Sequence, residues 1–133
     1  ALAKKHTQFI IQREYENSAS RKNWAIPQAN NDWILLVDAD ERVTLELQKE
    51  ILNTLSTSPS EVGFWMYRQN HFMGEPLNNG AFKKDKVIRL FRKSKCKYEI
   101  KSVHSEIVAN GAIGRLKNKL THNTYITFDY HLE

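Results

Sequence analysis

The chain has 133 residues, of which 41% are hydrophobic and 26% are charged, with a formal net charge of +5. This length fits a single domain over residues 1–133, and no apolar run approaches the ~20 residues of a membrane span. The single cysteine, Cys96, excludes an internal disulfide and is interpreted as a reduced thiol. The positive charge favours an anionic partner, such as a nucleotide, a phosphorylated lipid or nucleic acid.

The first half of the chain alternates strands and helices in its sequence pattern. In order, we predict a strand, a helix, an apolar strand and a second helix, at residues 8–12, 18–30, 33–37 and 45–55. Ser18 or Ser20 is expected to cap the first helix, and Thr44 the second. A strand that is apolar on both faces is typical of a parallel sheet that is covered on both sides. This order indicates an α/β domain with flanking helices.

The second half of the chain is richer in strands. We predict strands and a terminal helix at residues 62–70, 86–92, 97–100, 103–108 and 125–132. The segment 71–82 contains two glycines and a proline and is predicted to be a long loop, either a lid over a ligand or a plain surface loop. The complete prediction is therefore an α/β fold with a mixed sheet.

Acidic residues follow the apolar strand directly, in the segment WILLVDADE at residues 33–41. Ligands of open α/β sheets bind at the carboxyl ends of strands, and residues two apart in an extended chain share a side. In an extended chain, Asp38 and Asp40 are therefore predicted to face one cavity. If the chain turns at Asp40, Glu41 either joins them or points to a basic residue. Carboxylate oxygens suit Mg²⁺ or Mn²⁺, which bridge a diphosphate to protein. The alternative is a solvated strand end.

Residues 20–44, SRKNWAIPQANNDWILLVDADERVT, resemble the family 2 glycosyltransferases of the GT-A fold, in the bacterial branch that adds sugars to lipopolysaccharide core. The resemblance continues in short pieces at residues 68–70, 72–74, 87–91, 103–104 and 120–125. It implies a Rossmann-like GT-A domain that transfers a sugar, with inversion, from a nucleotide-sugar donor to a glycan or lipid-linked acceptor. It also implies Mg²⁺ or Mn²⁺ held by the D-x-D motif of Asp38 and Asp40.

Basic side chains complete the donor site that the resemblance implies. In this family a basic residue on the helix before the acidic motif lies near the donor, and Lys22 matches it best, with Arg21 adjacent. Arg89 is the preferred contact to a phosphate or to the acceptor, because a guanidinium donates two parallel bonds. Arg68 lies on an earlier strand, and His122 is either a structural histidine or a further polar contact.

Inverting transfer requires a general base for the acceptor hydroxyl. His104 and Glu106 share one face of a predicted strand and are the two catalytic candidates. The family places an acid directly after the histidine, whereas Ser105 intervenes here. Glu106 is the candidate base, and His104 is an alternative contact to metal or phosphate.

The family also begins with a strand and loop that hold the nucleotide base, and these have no counterpart here. We therefore expect a missing N-terminal βαβ unit. Basic runs at residues 83–84, 92–97 and 117–119 suit anionic lipid heads, which predicts a cytoplasmic enzyme with peripheral contact at the inner membrane face. The alternatives are a non-catalytic nucleotide- or carbohydrate-binding module and a nucleic-acid-binding protein. The latter is disfavoured because the lysines are dispersed and lack a binding motif.

Overall fold

The computed structural model describes residues 18–72, 75–76, 85–99 and 106–123. The predicted strand at residues 8–12, the predicted terminal helix at residues 125–132 and most of the predicted loop at residues 71–82 lie outside the described residues. In the described part of the chain, no helix is long and apolar enough to cross a membrane.

Two α-helices and a short 3₁₀ turn form the helical part of this region. The first helix, α1 (Ser18–Ala25), is followed by the 3₁₀ turn Ile26–Gln28, in which Pro27 occupies an early position that needs no backbone N–H donor. The predicted helix over residues 18–30 is thus shorter than expected. The second helix is α2 (Leu45–Ser56), and its predicted cap is confirmed, because the Thr44 hydroxyl accepts a hydrogen bond of 3.1 Å from the backbone N of Leu47.

Nine strands are present in the described residues. They are β1 (Trp33–Leu35), β2 (Glu41–Val43), β3 (Gly63–Phe72), β4 (Glu75–Pro76), β5 (Lys86–Arg92), β6 (Cys96–Glu99), β7 (Glu106–Ala109), β8 (Ile113–Arg115) and β9 (Leu120–Asn123). Seven of them form one sheet in the order β1-β5-β3-β9-β2, with β4 and β8 also paired to β3. β6 and β7 form a separate antiparallel pair.

The long strand β3 is the centre of the sheet and makes it mixed. Its first half pairs antiparallel with β5 and parallel with β8, and its second half pairs parallel with β9. The predicted α/β class with a mixed sheet agrees with this arrangement. The Rossmann-like GT-A assignment stays a prediction.

The apolar strand before the acidic motif is shorter and less buried than its sequence indicates. β1 ends at Leu35 and pairs antiparallel with β5, at one end of the sheet order. Leu35 and Val37 are 39% and 41% exposed. The prediction of a strand covered on both faces in a parallel sheet is therefore wrong. Leu36 and Val37 line a cleft beside α1, and Leu36 also packs, partly buried, against the core residues around Phe91.

The core consists of two clusters that join the helices to the sheet. The first cluster joins the 3₁₀ turn to β5 and β6, through Ile26, Val62, Ile88, Phe91, Cys96 and Tyr98. The second joins α2 to the centre of the sheet, through Leu47, Ile51, Phe64, Met66, Leu90, Leu116 and Leu120. The two strands that carry the candidate site, β3 and β5, are thereby anchored on apolar residues.

Glu50 on α2 ties the helix to the loop before β9, and it makes the stability depend on pH. Its carboxylate accepts hydrogen bonds from the backbone N of Lys117 at 2.7 Å, and from the backbone N and Nδ2 of Asn118 at 2.9 Å and 3.0 Å. Burial raises the pKa of Glu50, but these hydrogen bonds outweigh burial and hold the pKa below its ordinary value of 4.5. A lowered folded-state pKa adds stability above the unfolded pKa, and this stability is lost as the pH falls through the folded pKa.

We therefore expect Glu50→Gln to lower the free energy of unfolding at pH 7 by about 1–2 kcal/mol, because hydrogen bonds to a charged group are lost. The difference from the wild type should shrink at pH 3, because the Glu50 carboxyl of the unfolded wild type is protonated below its ordinary pKa of 4.5. Urea unfolding at both pH values measures the difference in unfolding free energy. Glu46→Gln, on the exposed first turn of α2, is the control. An equal loss at pH 7 and pH 3 would contradict this role of the charge.

Candidate functional site

The acidic motif forms a tight turn that Glu41 closes. The backbone N of Glu41 donates to the carbonyl oxygen of Asp38 at 3.0 Å, and the backbone N of Asp38 donates to Glu41 Oε1 at 2.9 Å. Ala39 and Asp40 form the turn between them, and Glu41 begins β2. This turn replaces the extended chain on which the sequence prediction placed Asp38 and Asp40.

Glu41 is the buried acid of the motif. It is 1% exposed, and its Oε2 lies 3.1 Å from Arg89 Nη2 and 3.2 Å from Arg68 Nη1. The sequence left two alternatives for this residue, and the structure supports the one in which Glu41 points to a basic residue. Two guanidinium groups and one backbone N–H compensate the charge that burial would otherwise disfavour.

Arg89 on β5 lies behind Asp38 and joins it to Glu41. Its Nη2 lies 3.1 Å from both Asp38 Oδ2 and Glu41 Oε2, and its Nη1 donates to the hydroxyl of Tyr98 at 3.2 Å. Burial works to lower the pKa of Arg89, but the neighbouring Glu41, Tyr98 and Asp38 raise it overall. Arg89 is 6% exposed. Its predicted role as a direct phosphate contact stays a prediction.

A second set of contacts continues from Glu41 across the sheet. Arg68 on β3 makes a two-pronged contact to Asp85, with Nε 2.9 Å from Oδ2 and Nη2 3.1 Å from Oδ1. Asn70, two residues further along β3 and 2% exposed, donates from Nδ2 to Asp85 Oδ2 at 3.1 Å. Arg68 is thereby held between the buried Glu41 and Asp85.

The same set of contacts ends at the other acid of the motif. The two ring nitrogens of His122 on β9 face Asn70 Oδ1 and Asp40 Oδ2, the latter at 3.0 Å. The backbone N of Asn123 also donates to the carbonyl oxygen of Asp40 at 3.0 Å. A continuous path of polar contacts thus joins Asp38 to Asp40 through strands β5, β2, β3 and β9. We call this path the polar network, and it runs through Arg89, Glu41, Arg68, Asp85, Asn70 and His122.

A cleft of about 390 Å³ opens beside α1, next to Asp38. Its polar lining consists of Arg21, Lys22 and Asp38, which are three of the four predicted donor-binding residues. Lys22 Nζ lies 4.7 Å from the centre of the Tyr98 ring. Burial lowers the pKa of Lys22, while the Asp38 carboxylate acts in the opposite direction. The cleft therefore presents a half-buried ammonium group and a carboxylate side by side.

Asp38 and Asp40 fit the predicted divalent metal by their donor chemistry. Their side chains are 41% and 31% exposed, and Oδ2 of each is engaged, by Arg89 and His122 respectively. Among the described residues, none donates a hydrogen bond to Oδ1 of Asp38 or to Oδ1 of Asp40. Mg²⁺ is typically bound by one or two carboxylates together with phosphate oxygens and water. Over the described ranges, no group of three or more His, Cys, Asp or Glu side chains is placed to hold a metal, and the metal stays a prediction.

The two predicted catalytic residues are placed only in part. Glu106 begins β7 opposite Glu99, and the next pair in the register is Tyr98 with Ile107. β7 is therefore paired with the strand whose Tyr98 contacts Arg89 and Lys22. The side chain of Glu106 and all of His104 lie outside the described residues. Their roles stay predictions.

Five residues of the polar network were absent from the predicted donor and catalytic set: Glu41, Arg68, Asn70, Asp85 and His122. Arg68 and His122 carried a weak signal, as an arginine on a neighbouring strand and a histidine in the similar segment 120–125. Asp85, and Tyr98 beside Arg89, carried no such signal. A lone acid or tyrosine in the sequence does not show which distant side chain it faces.

Comparison with curated proteins shows a similarity to a glycosyltransferase. The chain is 28% identical over 100 residues to the lipopolysaccharide core biosynthesis glycosyltransferase LpsC of Rhizobium meliloti (strain 1021). The similarity supports a glycosyltransferase relationship. The matched part covers 74% of this chain and 37% of the length of that relative. No family model matches the chain, and no solved structure matches it.

Proposed function

We propose that the chain carries the donor site of a metal-dependent, inverting glycosyltransferase of bacterial envelope polysaccharide synthesis. The donor is a nucleotide sugar, and the acceptor is a glycan or a lipid-linked glycan. The observation that carries this proposal is the cleft where Asp38 meets Lys22 and Arg21, backed by the buried Arg89 and Glu41. The similarity to LpsC supports the same reaction class.

The cleft residues suit a nucleoside diphosphate because they combine cations with metal-binding oxygens. Asp38 and Asp40 would hold Mg²⁺ or Mn²⁺ through carboxylate oxygens. When bound, the ion supplies Lewis-acid stabilisation of the negative charge on the leaving diphosphate. Lys22 and Arg21 donate hydrogen bonds to phosphate oxygens from the α1 side of the cleft. The half-buried position of Lys22 strengthens this attraction, because water screens it less.

Glu106 is the proposed general base. It takes the proton of the acceptor hydroxyl while the acceptor oxygen bonds to the anomeric carbon and the bond from that carbon to the diphosphate oxygen breaks. His104 is proposed to contact the phosphates. β7 pairs with β6, and the backbone of Glu106 lies opposite Glu99, the residue after Tyr98.

Peripheral contact with the inner face of the cytoplasmic membrane is part of the proposal. Lys95, Lys97, Lys117 and Lys119 are exposed, which supports contact with anionic lipid head groups. A lipid-linked acceptor would be presented at such a surface.

A panel of nucleotide sugars tests the proposed function. The chain is incubated with each nucleotide sugar in buffer that contains either Mn²⁺ or EDTA, and the release of nucleoside phosphate is followed by chromatography. We expect Mn²⁺-dependent release from one class of donor, and binding of that donor on the order of 10-fold weaker in Lys22→Gln, which loses a charged hydrogen bond. Lys49→Gln, which is exposed on α2, is the control.

The outcomes separate the proposal from its alternatives. Metal-dependent binding without release or transfer would favour a non-catalytic nucleotide-binding module. Salt-sensitive binding to DNA or RNA with no nucleotide-sugar binding would favour a nucleic-acid partner. Either result would contradict the proposed reaction.

A further inference from the structure

Glu41 is a buried charge that the proposed transfer reaction does not use. Its side chain is 0% exposed, yet it lies in the same turn as Asp38 and Asp40. A buried ion pair is poor evidence of selection for stability, because well-packed apolar residues of similar size are often as stable or more stable. The position of Glu41 within the acidic motif therefore calls for an explanation in terms of the cleft.

Glu41 constrains Asp38 at two points. Its Oε1 accepts the backbone N–H of Asp38 at 2.9 Å, which fixes the backbone where the turn begins. Its Oε2 contacts Arg89 Nη2, and the same nitrogen lies 3.1 Å from Asp38 Oδ2, which fixes the side chain. Tyr98 holds the other end of the guanidinium through Arg89 Nη1. The Asp38 carboxylate is thus held from behind while remaining 41% exposed.

Glu41 also determines how much positive charge Asp38 experiences. Arg89 is shared between two carboxylates, so its charge is not directed at Asp38 alone. Without the Glu41 charge, the Arg89 guanidinium would neutralise Asp38 and compete with any cation in the cleft. Arg68 also contacts Glu41 Oε2, but the positive charge of Arg68 is balanced by Asp85, so the negative charge of Glu41 remains available to Arg89.

We propose that Glu41 and Arg89 are positioning residues of the donor site. They orient the Asp38 carboxylate and keep its charge available for the metal–diphosphate group, and Arg89 acts through Asp38 instead of touching phosphate. This inference rests on the proposed function, since it assumes that Asp38 binds the metal–diphosphate group.

Mn²⁺ binding in the presence of UDP tests the inference without requiring turnover. The free Mn²⁺ signal in electron paramagnetic resonance gives the affinity for the wild type, Glu41→Gln and Arg89→Lys. Loss of residues that orient metal ligands typically weakens metal binding by about 10–100-fold, and we expect a loss in this range for both variants. Glu50→Gln is the matched control, because the Glu50 carboxylate accepts backbone N–H bonds, as the Glu41 carboxylate does, but has no contact with Asp38.

A variant cycle with Asp38→Asn separates positioning from a general structural effect. If Glu41 acts through Asp38, adding Glu41→Gln to Asp38→Asn should change the affinity less than about 2-fold, since the side chain being positioned is already altered. Losses that multiply in the double variant would overturn the inference. Folding of each variant is checked by urea unfolding, and if Glu41→Gln does not fold, Arg89→Lys and its double variant decide.

Two further outcomes of the Mn²⁺ binding experiment have different consequences for the proposals. Wild-type affinity in folded Glu41→Gln and Arg89→Lys would overturn the positioning role and leave the proposed function standing. Failure of the wild type to bind Mn²⁺ with any of UDP, GDP, ADP and CDP would overturn the proposed function and the inference with it.

Discussion

Replacing Asp38 with asparagine is expected to weaken binding of Mn²⁺ with UDP by on the order of 100-fold or more, which exceeds the loss typical of residues that only orient a ligand. The substitution removes the charge from one of the two proposed metal ligands. It also leaves Arg89 nearby without one of its two carboxylate partners, so the cleft becomes more positive. Electron paramagnetic resonance of free Mn²⁺ measures the change.

Asp32→Asn is the matched control for this prediction. Asp32 lies just before β1 and contacts Arg92 and Ser94, away from the lining of the cleft. We expect Asp32→Asn to leave the Mn²⁺ affinity unchanged. Equal affinities in wild type and Asp38→Asn would show that Asp38 is not a metal ligand.

Replacing Phe91 with alanine should lower the free energy of unfolding by about 3–5 kcal/mol, the usual range for a buried phenylalanine. Phe91 is 0% exposed and belongs to the first core cluster. Its ring packs edge-on against Tyr98, with ring centres 6.4 Å apart. The resulting cavity would lie beside the tyrosine that holds Arg89, so loosening of the donor cleft should accompany the loss of stability.

Urea unfolding at pH 7 measures the effect of Phe91→Ala. Leu52→Ala on α2 is the control, because Leu52 is 60% exposed and its loss should change the unfolding free energy by no more than about 0.5 kcal/mol. Similar unfolding midpoints and slopes for Phe91→Ala and the wild type would contradict the placement of Phe91 in the core.

Local sequence signals predicted the elements that depend on nearby residues. β5 was predicted with its observed bounds, because residues 86–92 form a continuous run of strand-forming and basic residues before a turn. The cap of α2 followed from Thr44, whose hydroxyl needs only Leu47 as its partner. Such signals act within one turn of a helix or along one strand, so the sequence displays them directly.

The sheet order depends on contacts between distant residues, which the sequence does not display. β1 was misjudged because an apolar run has the same composition whether it is buried on both faces or continues into the lining of a cleft, as this run does at Leu36 and Val37. The short strands β2, β8 and β9 were not predicted, since three or four residues carry little periodicity. Their positions are set by pairing with β3 and with each other.

The same distinction applies to the candidate site. Asp38 was predicted from the acidic motif, and Arg21 and Lys22 from the family resemblance, and the three residues line one cleft. The burial of Glu41 against Arg89, 48 residues away, was not predicted, because charge pairing across strands requires the register of the sheet. The sequence therefore indicated which side chains face the cleft, but not those that hold them in place.

The most direct test of the proposed donor site is a calorimetric titration of the chain with the panel of nucleotide sugars in Mn²⁺ and in EDTA. If Asp38 and Asp40 hold a metal ion in the proposed way, metal binding and donor binding would be coupled, and couplings of this kind are commonly on the order of 10-fold or more. We predict that Mn²⁺ tightens binding of one donor by that factor in the wild type, and that Asp38→Asn abolishes the enhancement. If every nucleotide sugar bound with the same affinity with and without Mn²⁺, that result would contradict the proposed metal-dependent donor site.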